Sequence, residues 1–150
     1  MQRSISHQKP IIPFLAVILF VLYDSLGSIY PFLPPLLAVL YVLFSRALEN
    51  EDSISVFVIV LCLVVFESNY GYLLLSSVVY FYILYKFVMP KIIQNSNCVT
   101  CIRALTVLFV YFGYFFFLAL LSNIFLLPQP SINYYIIYYI VIEFFLMSLI

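Results

Sequence analysis

Long apolar runs, separated by short polar or proline-containing breaks, fill this chain from residue 11 to its end. A helix needs about 20 mostly apolar residues to cross the hydrocarbon core of a bilayer. Because that core holds no water to bond the backbone, an apolar run of this length crosses it as a helix, which satisfies its own backbone groups. The breaks predict an all-α integral membrane protein, a compact bundle of about six transmembrane helices. The predicted spans lie near residues 11–29, 32–48, 54–68, 70–88, 102–122 and 132–150.

The composition indicates that most of the chain lies in a membrane. Of its 150 residues, 67% are hydrophobic and 8% are charged, whereas a soluble domain has roughly 45–50% apolar and 25% charged residues. The longest polar stretches are residues 1–10, 45–53 and 90–103. Residues 1–150 are therefore predicted to form a single transmembrane domain, with no room for a soluble one.

Lysine and arginine positions give an orientation that does not depend on hydropathy, because short cytoplasmic loops are enriched in both residues. With six spans, all six basic residues fall on one side: Arg3, Lys9, Arg46, Lys86, Lys91 and Arg103. The loops on the other side, at 27–31, 67–71 and 122–131, contain neither residue. Both termini are therefore predicted to be cytoplasmic.

Charge and motif content exclude several functional classes. The formal net charge is zero, so the chain lacks the basic patch with which proteins neutralise nucleic-acid phosphates. Its sequence contains no glycine-rich phosphate loop, no H-E-x-x-H and no G-x-S-x-G motif. We therefore predict no enzymatic activity, no cofactor and no nucleic-acid partner.

Three carboxylates in or at the edge of predicted spans are candidate site residues. A charged group at the bilayer centre costs about 2.5–3.5 kcal/mol on insertion scales, so such residues are often functional. Asp24 and Glu67 fall near the predicted outer interface, where a solvated or helix-capping role is expected. Glu143 lies halfway along the sixth span, with no basic partner in any span. We expect it to be protonated or hydrogen-bonded inside the bundle, as a structural bond or as a proton or cation site.

The abundant tyrosines are predicted to be anchors at the headgroup level and packing residues, since the ring is apolar and the hydroxyl stays wet. Tyr80 near the end of the fourth span and Tyr139 near the start of the sixth are two of them. An aromatic ligand cage is the less favoured interpretation.

Cys98 and Cys101 form a C-x-x-C in the loop after the fourth span, a spacing that fits two zinc ligands or a redox dithiol. A closed zinc site needs four ligands, but the single histidine is His7 and the third cysteine, Cys62, lies within a predicted span. Thioredoxin-like chemistry also requires a strand before the motif. We therefore expect two reduced loop cysteines and no metal site.

The residues at the span boundaries follow a pattern. A proline-bearing break leads into the second span at residues 31–41, and the third span ends in an acidic residue before a glycine-containing turn, at 61–73. The fourth span ends in a basic tail at Lys86. This pattern resembles the rod shape-determining protein MreD family, small multi-pass proteins of the bacterial inner membrane. Glu67 takes the place of the family's usual aspartate and Gly71 that of its turn glycine, whereas the family's glycine-rich third span is absent.

The resemblance implies a non-enzymatic scaffold of the cell-elongation (rod) machinery, which supports peptidoglycan synthesis and cell shape. The implied location is the bacterial cytoplasmic (inner) membrane. The implied partners are the membrane protein MreC, the RodA-type polymerase and its transpeptidase, and, indirectly, the filament protein MreB. Cytoplasmic basic residues would then contact a partner or anionic lipid, namely Arg46, Lys86, Lys91 and Arg103.

A transporter is the alternative. Six compact spans around Glu143 can enclose a ligand or relay protons, as in a small transporter or a membrane substrate-binding subunit. That hypothesis predicts loss of uptake when Glu143 becomes glutamine, whereas a scaffold tolerates the change unless Glu143 holds the bundle together. Apart from Gly113 in the fifth span, no proline or glycine breaks the middle of a span, which favours the scaffold. An accessory subunit of a respiratory or secretion complex is a third possibility.

Overall fold

Six helices occupy residues 11–149, the part of the chain that the computed structural model describes. They are α1 (Ile11–Ile29), α2 (Leu37–Glu49), α3 (Ser53–Tyr70), α4 (Ser76–Asn95), α5 (Val99–Phe125) and α6 (Tyr135–Leu149). No strand occurs among these residues, so the predicted all-helical class is confirmed. Arg3, His7 and Lys9 lie outside the described residues.

Three helices are long and apolar enough to cross a membrane: α3 with 18 residues, α4 with 20 and α5 with 27. Two shorter apolar helical segments accompany them, Pro13–Ile29 within α1 and Tyr135–Leu149, which is α6. Large apolar side chains cover the outer faces; Phe14 is 68% exposed and Phe116 is 65% exposed. Extensive exposed apolar surface is unfavourable in water but not beside lipid tails. The outer surface therefore suits a hydrocarbon environment.

The core is built around α2, which has six buried residues among its 13. This helix packs against α3, α6 and the middle of α5. Tyr41 and Phe44 of α2 contact the ring of Phe81 on α4, and Leu63 of α3 belongs to the same buried cluster. The outermost helix, α1, packs mainly on α3. Because neighbouring helices cover α2, its 13 residues pack mainly against protein.

The second helix begins five residues later than the span predicted from residue 32. Pro34 and Pro35 have no backbone N–H to donate, and a residue before a proline is disfavoured in the helical conformation. Leu36 then adopts a left-handed conformation with φ 56°, and α2 starts at Leu37. Residues 30–36 therefore form a non-helical segment between α1 and α2, in which both Pro34 and Pro35 are buried.

The third and fourth helices also differ from their predicted limits of 54–68 and 70–88. Helix α3 continues to Tyr70 and ends at Gly71, whose φ of 69° is the left-handed conformation typical of a helix-ending glycine. Leu75 is also left-handed, with φ 67°, and α4 starts after it. At its other end, α4 extends to Asn95 through Pro90.

Both long helices, α4 and α5, contain a wide π-helical turn, Leu84–Val88 in α4 and Phe109–Gly113 in α5. Such a turn inserts a residue and interrupts the regular i to i−4 bonding. In α4 the wide turn directly precedes Met89-Pro90, where proline cannot donate an N–H. The helix therefore passes the proline without ending.

The wide turn of α5 is held by a tyrosine from α4. The Tyr80 hydroxyl donates a hydrogen bond of 2.5 Å to the carbonyl of Phe109. It can come this close because residue 113 is glycine: a Cβ atom there would lie 1.9 Å from Tyr80 Oη. Tyr80 is therefore a packing residue in the interior of the bundle. Its hydroxyl occupies the space that a side chain at residue 113 would fill.

We expect Gly113→Ala to lower the free energy of unfolding by about 1–3 kcal/mol, because the added methyl group overlaps the Tyr80 hydroxyl. Tyr80→Phe removes that hydroxyl, so the double variant should be more stable than the sum of the two single changes predicts. Thermal unfolding of the purified protein in detergent, followed by circular dichroism, measures all three.

Gly27→Ala is the matched control, since a Cβ there would meet no atom nearer than 3.8 Å. It should leave the unfolding temperature unchanged or raise it slightly, because alanine favours a helix over glycine. Additive effects of Gly113→Ala and Tyr80→Phe would contradict the contact.

Candidate functional site

All three candidate carboxylates are buried in the bundle. Asp24 is 2% exposed, and Glu67 and Glu143 are 0% exposed. A buried carboxyl group is tolerated only where hydrogen bonds replace its lost hydration. None of the three is solvated, so their hydrogen-bond partners identify what they do.

Glu67, on the last turn of α3, caps the start of α4. Its Oε2 accepts a 2.5 Å bond from the backbone N–H of Leu75, and its Oε1 accepts a 2.6 Å bond from that of Ser77. The hydroxyls of Ser76 and Ser77 donate to the same Oε1 at 3.0 and 2.7 Å. The start of a helix has N–H groups without partners and a partial positive charge. A carboxylate accepts hydrogen bonds from these N–H groups and is attracted by the charge. Glu67 therefore performs the role of a capping residue from a different helix.

Glu143, in the middle of α6, caps the start of α2 in the same way. Its Oε2 accepts a 2.7 Å bond from the backbone N–H of Ala38. Its Oε1 accepts a short hydrogen bond from the Tyr111 hydroxyl of α5. The position of Glu143 in an apolar run predicts that it is protonated or hydrogen-bonded, and both of its oxygens accept hydrogen bonds.

The two capped starts share one geometry. Each follows a left-handed leucine, Leu36 or Leu75, and in each the capping carboxylate accepts the N–H found two residues later. Helix α5 contacts both: Tyr111 bonds Glu143, and Tyr114, three residues along, lies with its hydroxyl 3.2 Å from Ser76 Oγ. Tyr111 and Tyr114 are three residues apart, so one short stretch of α5 serves both caps.

The other carboxylate joins two helices near the same end of the bundle. Asp24 of α1 accepts a 2.5 Å bond from the side-chain amide of Asn69 on α3. Asn69 is two residues before Gly71, where the chain leaves α3. It therefore fixes the outermost helix to the core by a polar bond as well as by apolar packing.

Residues 30–36 are held by tyrosine hydroxyls. Tyr23 of α1 donates a 2.7 Å bond to the carbonyl of Pro34, and Tyr139 of α6 donates a short bond to the carbonyl of Pro31. Backbone groups in a non-helical segment need such partners wherever water is scarce. Together with Glu143, these bonds position the proline segment from two helices.

Of the four candidate basic residues within the described chain, Arg46, Lys91 and Arg103 lie toward the opposite end, whereas Lys86 lies in the middle of α4 and not at its end as predicted. Arg46 and Arg103 line one cavity of about 190 Å³ between α2, α4, α5 and α6. Lys86 lines a neighbouring cavity of about 540 Å³. Lys91 is exposed on the last part of α4 and lines neither cavity. The structure therefore brings two of the four together.

Cys98 and Cys101 are free thiols at the start of α5. The backbone N–H of Cys101 donates to Cys98 Sγ at 3.3 Å, so Cys98 caps the helix. Hydrogen bonding from Cys101 lowers the pKa of the Cys98 thiol, because it stabilises the thiolate. Within residues 11–149, no group of three or more His, Cys, Asp or Glu side chains is placed to hold a metal ion.

The three carboxylates are recognisable in the sequence, but their hydrogen-bond partners are not. Asn69, Ser76, Ser77 and the α5 tyrosines, Tyr111 and Tyr114, complete the three sites. The adjacent serines within the predicted fourth span were an available signal for a helix start there, since serine is common at helix starts. Tyr111 and Tyr114 gave no signal among so many tyrosines.

Comparisons with models of known protein families, with curated proteins and with solved structures found no match. The function is therefore argued from the geometry of the sites.

We expect Glu67→Gln to destabilise the protein by about 1–3 kcal/mol, because each oxygen of Glu67 accepts a backbone N–H group and a glutamine amide would leave one of these buried groups unpaired. Glu143→Gln should cost less, since the glutamine oxygen can accept the N–H of Ala38 while its amide donates to the Tyr111 hydroxyl. Thermal unfolding in detergent measures the loss.

Glu49→Gln is the control for this pair. It makes the same chemical change at an exposed position on the last residue of α2 and should stay within about 0.5 kcal/mol of the parent. If Glu67→Gln unfolds at the parental temperature, the carboxylate is not required as a cap.

Proposed function

We propose that this chain is a non-enzymatic scaffold subunit of the bacterial inner membrane. The proposal is based on the resemblance to the MreD family. The chain would support the peptidoglycan synthesis complex that elongates rod-shaped cells. All six helices are spans, and both termini are cytoplasmic. The partners are MreC, the RodA-type polymerase with its transpeptidase, and, indirectly, MreB.

The observation that carries the proposal is that the buried carboxylates are engaged by the protein itself. Both oxygens of Glu67 and both oxygens of Glu143 accept hydrogen bonds from helix starts or from neighbouring side chains. A carboxylate that binds a transported cation or relays protons needs an oxygen available to that ion. Carboxylates used as caps instead favour a rigid bundle that presents its outer faces to partners.

The short α2 can be part of a six-span arrangement. Its 13 residues rise about 20 Å at 1.5 Å per residue, less than the roughly 30 Å of a hydrocarbon core. Residues 30–36 would then lie at membrane depth. Non-helical backbone is tolerated there when protein groups satisfy it, as Tyr23, Tyr139 and Glu143 do here.

The charge distribution supports the cytoplasmic termini. Among the described residues, Arg46, Lys91 and Arg103 lie toward the end where α2 meets α3 and α4 meets α5, whereas Lys86 lies in the middle of α4. Cytoplasmic loops carry this excess of basic residues. The same end then carries the start of α1 and the last turn of α6, which supports the proposal that both chain termini are cytoplasmic.

The structure of the stretch that carries the resemblance is compatible with it. Glu67, in the place of the family's acidic residue, caps the next helix, and Gly71 ends α3 in a conformation that glycine adopts readily. Both residues therefore have structural roles at the turn, and neither role needs a catalytic centre.

A small transporter remains the second candidate function. The observation in its favour is that α2 begins inside the bundle, beside Glu143, which resembles the interrupted helices around which many transporters bind substrate. Transport predicts that Glu143→Gln abolishes uptake while the protein stays folded. The scaffold predicts that any loss follows from instability.

The proposed orientation predicts that Cys98 and Cys101 react with a membrane-impermeant maleimide only after the inner membrane is permeabilised. The buried Cys62 is first replaced by alanine so that the two exposed thiols give the signal. Mass spectrometry of the purified protein counts the labels.

A reporter on the other side completes this test. Gln129→Cys, at an exposed position between α5 and α6, is placed in a chain with all three native cysteines removed. It should react in cells whose inner membrane is intact. The reverse labelling pattern would place the termini on the other side and contradict the scheme.

Depletion of the protein in its own host tests the scaffold function. We expect rod-shaped cells to become round, and we expect MreC and the RodA-type polymerase to co-purify with a tagged copy of the chain. Normal rods without these partners would sink the proposal. A plasmid copy of Glu49→Gln should restore the rods, and it controls for effects of re-expression.

A further inference from the structure

Arg46 and Arg103 line the same cavity at the end of the bundle where α2 ends and α5 begins. Ten residues line this space of about 190 Å³, and they include both arginines but no aspartate or glutamate. Two like charges near one another and without a carboxylate are unfavourable. An anion bound between the two arginines would attract both and offset their repulsion.

A buried hydroxyl without a partner adjoins the same cavity. Tyr41 is 1% exposed, and its Oη has no hydrogen-bond partner within residues 11–149. Tyr41 lines the cavity together with Arg46, Arg103 and Thr106. Buried polar atoms are almost always bonded, so this hydroxyl indicates that a hydrogen-bond acceptor belongs nearby.

A larger cavity of about 540 Å³ continues from the first one. The two share Tyr41, Ser45 and Met89, and the second is also lined by Lys86 and Ile93. A cationic space beside a larger, mostly apolar one suits an amphiphile with a charged head. Glu49 also lines the second cavity, whereas no carboxylate lines the first, so the first cavity is the more selective for an anion.

We propose that the cavity between α2, α4, α5 and α6 binds a phosphate group, with Arg46 and Arg103 as its charged ligands and Tyr41 as a hydrogen-bond donor. The planar fork of guanidinium donors matches phosphate oxygens better than a lysine ammonium does. The adjoining apolar cavity favours an anionic phospholipid as the source. Free phosphate would use the same three side chains, and the site does not depend on the scaffold function.

Arg46 has a second neighbourhood, which affects the choice of variant. It also lines a cavity of about 380 Å³ on another side of α2, together with Asp52. The Asp52 carboxylate accepts a 2.6 Å bond from the Ser55 hydroxyl, and this bond lowers the pKa of Asp52, which keeps it ionised. Asp52 can therefore attract Arg46, and Arg103 is the cleaner position to change.

Native mass spectrometry of the full chain in detergent tests the site. The probes are phosphatidylglycerol, diacylglycerol with the same acyl chains, and inorganic phosphate. We expect phosphatidylglycerol to bind at least about tenfold more tightly than diacylglycerol, because only the former has the phosphate. Arg103→Gln and Arg46→Gln should each weaken its binding by about tenfold, and Tyr41→Phe should weaken it several-fold without lowering the unfolding temperature.

Lys91→Gln is the matched control, since it removes one positive charge from α4 at a position that lines neither cavity. An equal loss of binding in Lys91→Gln and Arg103→Gln would overturn the proposal in favour of general surface attraction. Equal binding of the two lipids would also overturn it. Binding of inorganic phosphate alone, with the same dependence on the arginines, would keep the site and assign it to a soluble phosphate compound. If Arg103→Gln does not fold, Arg46→Gln and Tyr41→Phe decide the matter.

Discussion

A helix that begins inside a protein must find partners for its first backbone N–H groups, because water cannot reach them. Two helices here, α2 and α4, meet that condition with a glutamate from another helix. Glu143 and Ala38 are 105 positions apart in sequence, whereas Glu67 and Ser77 are 10 positions apart. Each cap therefore fixes a local structure and a tertiary contact at once, and the positions of α3 and α6 relative to their neighbours follow from it.

Helix α5 connects the two caps. Tyr111 bonds one of the capping carboxylates, and Tyr114 lies beside a serine that bonds the other. The wide turn at 109–113 contains Tyr111 and directly precedes Tyr114. The Tyr80 hydroxyl donates a hydrogen bond to the first carbonyl of this turn, that of Phe109. Wide turns change which face of a helix its later residues occupy. A change at Gly113 would thus alter more than one contact, since the turn, the Tyr80 bond and the cap tyrosines lie within six residues.

Much of the helical architecture could be predicted from the sequence, because apolar length alone selects helices in a membrane-like composition. The candidate carboxylates were recognisable for the same reason: Glu143 is conspicuous in an apolar run. The start of α2 was harder to place. It depends on Leu36 taking a left-handed conformation after two prolines, and a non-glycine residue rarely does so without tertiary contacts. The partners of Glu143 were unpredictable because periodicity within a helix does not say which other helix it meets.

The lengths of the helices differ, and this has a consequence for the lipid around them. Helix α5 has 27 residues and rises about 40 Å, roughly 10 Å more than a typical hydrocarbon core. Short α2 is covered by its neighbours and does not set the thickness that lipid chains meet. In a bilayer, α5 must tilt or carry its ends into the headgroup layer. Hydrophobic mismatch along that single helix would favour thicker membrane regions and would be relieved by packing against another long helix.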